Sequence, residues 1–279
     1  MSMLHEISPR SLHIEYEAKA ANAEDYIFII KDGMGYLRDD EEALILPRRK
    51  ELNYKDEELQ FLFCVDREGF YLYTGSQYPS EDDIYSFVKI RDIRRYKPVY
   101  MSYAVQLCYR LYLWYQNNAF CGRCGCGTVH SKIERALVCP SCKNTIYPAI
   151  SPSVIVLIRD GERTLLTRYQ ATHNFYRNYA LVAGYVETGE TPETAVAREV
   201  FEEVGLRVKN ITYYKSQPWP LSGALLLGYV CDLDGDDTIV RDDGELEEAL
   251  WVDRAQLPDR SQDVSLTSEL IEMFRIGKL

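Results

Sequence analysis

A chain of 279 residues, 46 % hydrophobic, 27 % charged and with a net charge of −11, is long enough to bury one large core or two ordinary ones. It contains no apolar run of about 18 residues, and MSMLHEISPR at its start has no apolar stretch after a basic one, so neither a membrane-spanning helix nor a secretory signal is expected and the cytoplasm is the expected compartment. The acidic balance argues against a protein that grips nucleic acid mainly through phosphates; PRRK at 47–50 and RDIRRYK at 91–97 stand among acids and read as solvated surface.

The first hundred residues read as short strands joined by hairpin signals: YIFII, a KDGMG turn, ALILP, FLFCV, a DREG turn and FYLYT. This predicts a β-rich, α+β domain without an evident catalytic cluster. From Val99 to Asn117 aromatic and aliphatic residues recur at helical spacing, which predicts a helix whose stripe serves a core or a subunit contact. After residue 148 a second region follows: an apolar strand SVIVLI, a RDGER turn, TLLTRY, an amphipathic helix, a strand GALLLGYV and a terminal helix SLTSELIEMFRI. Strands flanking one amphipathic helix predict an α/β sandwich around a mixed sheet, with domains at 1–117, 118–148 and 149–279.

Between the two regions lies CGRCGCGTVHSKIERALVCPSC. Cys121 and Cys124, and Cys139 and Cys142, form two C-x-x-C knuckles, each able to turn two thiolates toward one point. The chain has eight cysteines, but the other four are scattered, so metal binding is expected in place of disulfides. Four thiolates leave no open position, which makes the expected zinc structural. Cys126 and His130 lie close enough to compete as ligands; the doubled spacing favours the four cysteines.

In GYVETGETPETAVAREVFEEVGL, Pro192 suits a first helical turn and Gly205 a left-handed C-terminal stop, which predicts a helix of about thirteen residues between them. Val196, Val200 and Val204, flanked by Ala197 and Phe201, form the expected buried stripe. Glu199, Glu202 and Glu203 fall at spacings of three and four on another face, with Arg198 the one cation among them. Carboxylates so placed destabilise an isolated helix by a few tenths of a kcal/mol per pair, roughly. Oxygen ligands converging on one side suit Mg²⁺ or Mn²⁺, which in turn clamp phosphate oxygens.

Gly184, Glu190, Arg198, Glu199, Val200, Glu202, Glu203, Gly205 and Leu206 match in full the spacing G-x5-E-x7-R-E-U-x-E-E-x-G-U, with U aliphatic, and the chain therefore resembles the Nudix hydrolases. The resemblance implies that Glu199, Glu202 and Glu203 bind divalent metals, that Arg198 orients them, and that Gly184 and Gly189 shape the preceding loop. Downstream, SQPWP at 216–220 is similar to the S-Q-P-W-P-F-P-x-S signature of the NADH pyrophosphatase subfamily, whose members also carry a four-cysteine ribbon before the Nudix domain. That likeness covers residues 121 to about 271 by motif and the first hundred by layout alone.

The same resemblance implies substrate contacts at Glu134, Tyr147, Ala183, Tyr185, Gln217, Pro218, Trp219, Pro220, Ser222 and Thr267, and further metal ligation by Glu245 and the Ala183 carbonyl. The chain departs from the pattern after SQPWP, where LSGALLLG lacks the second Phe-Pro and puts Leu221 where a ring would stack. Glu247 and Glu248 compete with Glu245 in the alignment. The implied reaction is metal-dependent hydrolysis of the pyrophosphate of NADH or NAD⁺ to nicotinamide mononucleotide and AMP, extending to NAD caps on RNA 5′ ends, in a homodimer. ADP-ribose or another ADP-linked compound is the alternative substrate. A non-enzymatic nucleic-acid binder built on the ribbon is the alternative class, against which Lys132 and Arg135 are the only basic residues between the knuckles.

Overall fold

The computed structural model describes residues 3–17, 19–40, 43–90, 96–170 and 179–279. The expectation for RDIRRYK falls largely on residues 91–95, outside the described residues. The chain divides into two compact units, Leu4–Ala149 and Ile150–Leu279, the latter with the first three residues.

In the N-terminal unit the strands are β1 (Leu12–His13), β2 (Tyr26–Phe28), β3 (Ile30–Lys31), β4 (Met34–Asp40), β5 (Ala43–Ile45), β6 (Leu59–Val65), β7 (Glu68–Tyr73) and β8 (Ser86–Lys89). One sheet runs β1-β6-β7-β2 and a second β3-β4-β5, with β8 on β4. Two of the anticipated hairpins close where a left-handed residue is required: Asp32 and Gly33 join β3 to β4 at φ 52° and 78°, and Asp66 opens the β6–β7 turn at φ 54°. Helix α1 (Val99–Asn117) has the expected bounds, and Met101, Ala104, Val105, Cys108 and Trp114 bury its stripe against Phe28, Leu37, Phe63 and Phe70. The ribbon strands β9 (Val129–His130), β10 (Leu137–Val138) and β11 (Thr145–Ile146) belong to this unit. Leu137 joins the same core, and the Trp114 indole N–H donates to the Tyr147 carbonyl at 3.1 Å.

The C-terminal unit contains β12 (Ser151–Asp160), β13 (Arg163–Tyr169), β14 (Val182–Tyr185), α2 (Pro192–Val204), β15 (Val208–Trp219), β16 (Ala224–Leu233), β17 (Leu246–Asp253) and α3 (Leu266–Arg275). Its sheet runs β15-β16-β12-β13-β17, with β14 also on β12; β12 and β16 are parallel and the other pairs antiparallel. The two-residue period of β12 sorts its side chains: Val154, Val156 and Ile158 pack with α2, whereas Ile155 and Leu157 pack with α3. Helices therefore cover opposite faces of a mixed sheet, the α/β/α sandwich expected from the sequence.

Helix α2 has the anticipated length and stops. Thr191 caps it by accepting from the Thr194 N–H at 3.2 Å, and Gly205 ends it at φ 72°, its N–H donating to the Phe201 carbonyl at 2.9 Å. Its rotation differs from the expected one. The buried residues are Ala195, Val196, Val200, Glu203 and Val204, while Ala197 is exposed and Phe201 is 57 % exposed. The sheet lies toward the 195–199–203 side of the valine stripe, so Glu203 joins the buried face and Glu199 borders it, while Glu202 stays exposed.

Candidate active site

Three environments distinguish the glutamates of α2. Glu202 is exposed, Glu199 is half-buried, and Glu203 is only 2 % exposed. Arg198 stands at the centre of the outer pair. Its Nε and Nη2 hold both oxygens of Glu190 at 2.6 and 2.9 Å, its Nη1 lies 2.8 Å from both Glu199 and Glu202, and Nη2 also donates to the Tyr185 carbonyl at 3.0 Å. The paired guanidinium holds the Glu190 carboxyl down at about 2. One arginine thus ties the start of the loop, its glutamate and two helix carboxylates into one network.

Glu203 is set differently. Burial, with the negative charges of Glu245 and Glu199 nearby, raises its pKa to about 8, although a hydrogen bond from Tyr169 opposes the shift. Burial likewise raises Glu199. Of the three acids near β17, Glu248 is occupied by Arg168 and by the Tyr179 hydroxyl at 2.9 Å, and Glu247 lies 3.7 Å from Arg168. Glu245 instead acts electrostatically on Glu199 and Glu203. A buried acid surrounded by other acids and oxygen donors fits a hard divalent cation, which would relieve both the desolvation and the repulsion.

Close approach of the backbone completes the cradle. The Glu199 carboxylate lies against the Cα of Gly184, where any Cβ would overlap it. Ser153 donates to the Gly184 carbonyl at 3.0 Å from the neighbouring strand and fixes that segment. Gly184→Ala is expected to spare the fold, since the overlapping atoms end a flexible side chain, but to push Glu199 aside. Thermal denaturation should change little while cation-dependent turnover falls by roughly tenfold or more.

The ribbon cysteines form the one group of metal-ligating side chains among the described residues whose ligand atoms all lie within 4.8 Å of one another. Sγ of Cys121 is 3.7 Å from that of Cys142, and Sγ of Cys124 is 3.4 Å from that of Cys139. Bonds of about 2.3 Å to a tetrahedral zinc require sulfur separations of about 3.8 Å, so the four fit that ion. Backbone N–H groups of the second knuckle, that of Cys142 first, lower Cys139 to about 6. Against the Cys126 amide, which favours its thiolate, hydrogen bonding with Cys139 and Cys142 pushes Cys124 to about 12. A shared cation would let Cys124 ionise beside Cys139. Neither Cys126 nor His130 joins this group; the His130 ring stacks on Tyr115 at 4.7 Å.

Residues 149–273 match the NUDIX domain family, and residues 116–147 match the NADH pyrophosphatase zinc ribbon domain. The C-terminal unit is a Nudix domain. Among curated relatives, the NAD-capped RNA hydrolase NudC of Pectobacterium atrosepticum is 43 % identical over 161 residues, which are 57 % of this chain and 60 % of that protein. Its namesake from Shigella dysenteriae is 41 % identical over 161 residues (57 % and 61 %), and that from Chromobacterium violaceum 40 % over 158 residues (57 % and 58 %). The chain thus matches about three-fifths of the length of these relatives.

Of the expected substrate residues, Ala183, Tyr185, Gln217, Pro218, Trp219, Pro220, Ser222 and Thr267 lie in the unit that holds the Nudix helix, and Glu134 and Tyr147 in the other. The last two are already joined, the Tyr147 hydroxyl donating to Glu134 at 3.1 Å, and Tyr147 is 56 % exposed. Tyr185 is 51 % exposed beside the glutamates, Ser222 is exposed, and Trp219, Pro218 and Thr267 are half-buried. The SQPWP segment ends β15, an edge strand, with Pro218 opposite Leu225 and Trp219 opposite Ala224; an edge tolerates the missing proline N–H. Gln217 departs from expectation. It is fully buried, its amide donating to the Val264 carbonyl at 2.9 Å and accepting from the Leu266 N–H at 2.7 Å, so it braces the start of α3 and presents no surface to a ligand.

Sequence reasoning passed over Tyr169. It ends β13, and its half-buried phenol hydrogen-bonds Glu203 and the Ala183 backbone. In TLLTRY an aromatic at a strand end carries no signal beyond β propensity.

Proposed function

We propose that this protein hydrolyses the pyrophosphate bond of NAD(H), as the free dinucleotide and as a cap on RNA, yielding nicotinamide mononucleotide and AMP from the former. The observation that carries the reading is the graded glutamate cradle of the Nudix helix in a chain that also holds the NADH pyrophosphatase ribbon. The kinship with proteins named NAD-capped RNA hydrolases supports the substrate class. Glu199, Glu202, Glu203, Glu245 and the Ala183 carbonyl are the oxygens offered to Mg²⁺ or Mn²⁺, and the four cysteines hold zinc. The divalent cation, when bound, supplies charge neutralisation for the diphosphate and Lewis acidity toward the attacking water.

The chain contributes the rest. Arg198 fixes the outer carboxylates through the contacts above, and the buried Glu203 presents its carboxylate from the core side of α2. Tyr185, with half its surface free, offers a flat ring to the nicotinamide, and Trp219 and Ser222 bound the same substrate. A homodimer in the cytoplasm is the accompanying expectation; no described helix is long and apolar enough to cross a membrane.

The test is a substrate panel with purified protein and Mn²⁺: NADH, NAD-capped RNA and ADP-ribose under one set of conditions. AMP release from NADH, and nicotinamide mononucleotide release from capped RNA, should exceed ADP-ribose turnover. Faster ADP-ribose cleavage would overturn the substrate assignment and point to Leu221, half-buried where a ring is missing, as the altered wall.

A further inference from the structure

We infer that Tyr169 is a positioning residue for the cation cradle: one half-buried phenol sets the Glu203 carboxylate and the Ala183 backbone relative to each other. The Tyr169 hydroxyl accepts from the Ala183 N–H at 3.0 Å. With that lone pair engaged, its single proton is directed to Glu203, whose two oxygens lie 3.1 and 3.0 Å away. The Ala183 carbonyl oxygen stands 3.4 Å from the same hydroxyl. A single oxygen atom therefore touches two of the groups that the proposed function offers to the cation, one from α2 and one from β14.

Each neighbour makes this geometry hard to relax. Tyr169 ends β13, where the pairing with β17 shifts register between Arg168 and Tyr169, so its ring turns into the space between β14 and α2. There it packs among Val182, Val200 and Leu246, while Val182 and Ala183 are themselves held in register by Val156 and Ile155 of β12. Glu203 is nearly fully buried, and besides the Ala183 backbone the phenol is the one group that hydrogen-bonds its carboxylate among the described residues, so removing it takes away the side-chain half of what fixes the orientation. Partners that orient a metal ligand without touching the metal commonly affect affinity by about 10–100-fold. Tyr169 has the position of such a partner, with a neutral donor that a buried acid tolerates at little cost.

This inference rests on the assignment of Glu203 to the divalent cation, and the experiment separates the two. Mn²⁺ binding is measured by electron paramagnetic resonance and by calorimetry on the parent chain, Tyr169→Phe and Glu203→Gln, with thermal denaturation of each. Tyr169→Phe keeps the ring and should melt close to the parent, yet bind Mn²⁺ about 10–100-fold more weakly. Its kcat should approach the parent value only at high Mn²⁺, with KM for NADH unchanged. Parent-like Mn²⁺ affinity in Tyr169→Phe, with Glu203→Gln defective, would overturn the positioning role alone. Parent-like affinity in both would overturn the assignment of Glu203 itself. Should Tyr169→Phe melt early, Tyr169→Trp, which retains a ring with an N–H donor, serves as the second variant: partial recovery of affinity supports the role, and none removes it.

Discussion

Glu203→Gln should lower turnover by more than about a hundredfold and at the same time stabilise the protein in the absence of added divalent cation. The two effects have one cause. Loss of the carboxylate proposed as a ligand should exceed the 10–100-fold range typical of residues that merely support a ligand, which sets the lower bound on turnover. Stability moves the other way because burial, with Glu245 and Glu199 close by, holds the Glu203 pKa at about 8 against 4.5 in an unfolded chain. Between those values the folded form binds more protons than the unfolded form, so stability falls as pH rises from about 4.5 to 8 and then levels. Glutamine is neutral and nearly isosteric, so the variant should lack this descent, and its melting temperature should exceed that of the parent increasingly toward pH 8. Adding Mn²⁺ at pH 8 should raise the melting temperature of the parent and leave the variant almost unmoved. A parent whose stability without divalent cation is flat from pH 5 to 8 would show that Glu203 is ionised at no cost, and the cradle would lose its electrostatic rationale.

The helix that carries this site was legible in its bounds, because Pro192 and Gly205 are local signals whose physics does not depend on the rest of the fold. The same holds for the knuckles, the Asp-Gly turns and α1. What the sequence concealed was rotation and partnership. Val196, Val200 and Val204 define a stripe, but which flank of it meets the sheet depends on where β12 and β14 lie, a contact between residues far apart in sequence. That rotation is what buries Glu203 and separates it chemically from Glu202, a distinction that spacing alone cannot make. The surroundings of Gln217 were hidden for a related reason. A motif position next to an aromatic reads as a pocket wall, whereas its amide is consumed by backbone groups at 264 and 266, nearly fifty residues downstream. Glu245 became distinguishable from Glu247 and Glu248 only when Arg168, on the strand paired with β17, was seen to occupy the latter two.

Cys139→Ser should abolish zinc binding and lower the first melting transition by more than about 10 °C. Structural zinc contributes about 10–16 kcal/mol to the folding of small zinc domains, so even a fraction of that is a large share of the stability margin of an ordinary domain. The effect should spread beyond the ribbon. Cys139 is fully buried, and two residues earlier Leu137 enters the core shared with Met101, Val105 and Phe63. Arg135 donates to the Leu62 and Ile14 carbonyls, and the Tyr16 hydroxyl to that of Ser131, so the ribbon backbone is tied to the strands that precede it. Release of the clip would therefore loosen the N-terminal unit as a whole, while the sheet and helices of the Nudix unit keep their own core. Calorimetry with zinc quantified by atomic emission checks this: zinc per chain should fall from one to none, and an early transition should separate from one that Mn²⁺ still shifts upward. The glutamates of α2 lie in the other unit, so Mn²⁺ affinity should be retained. A single transition at the parent temperature after complete loss of zinc would mean that the packing of Leu137 and the hydrogen bonds of Arg135 hold the ribbon without the ion.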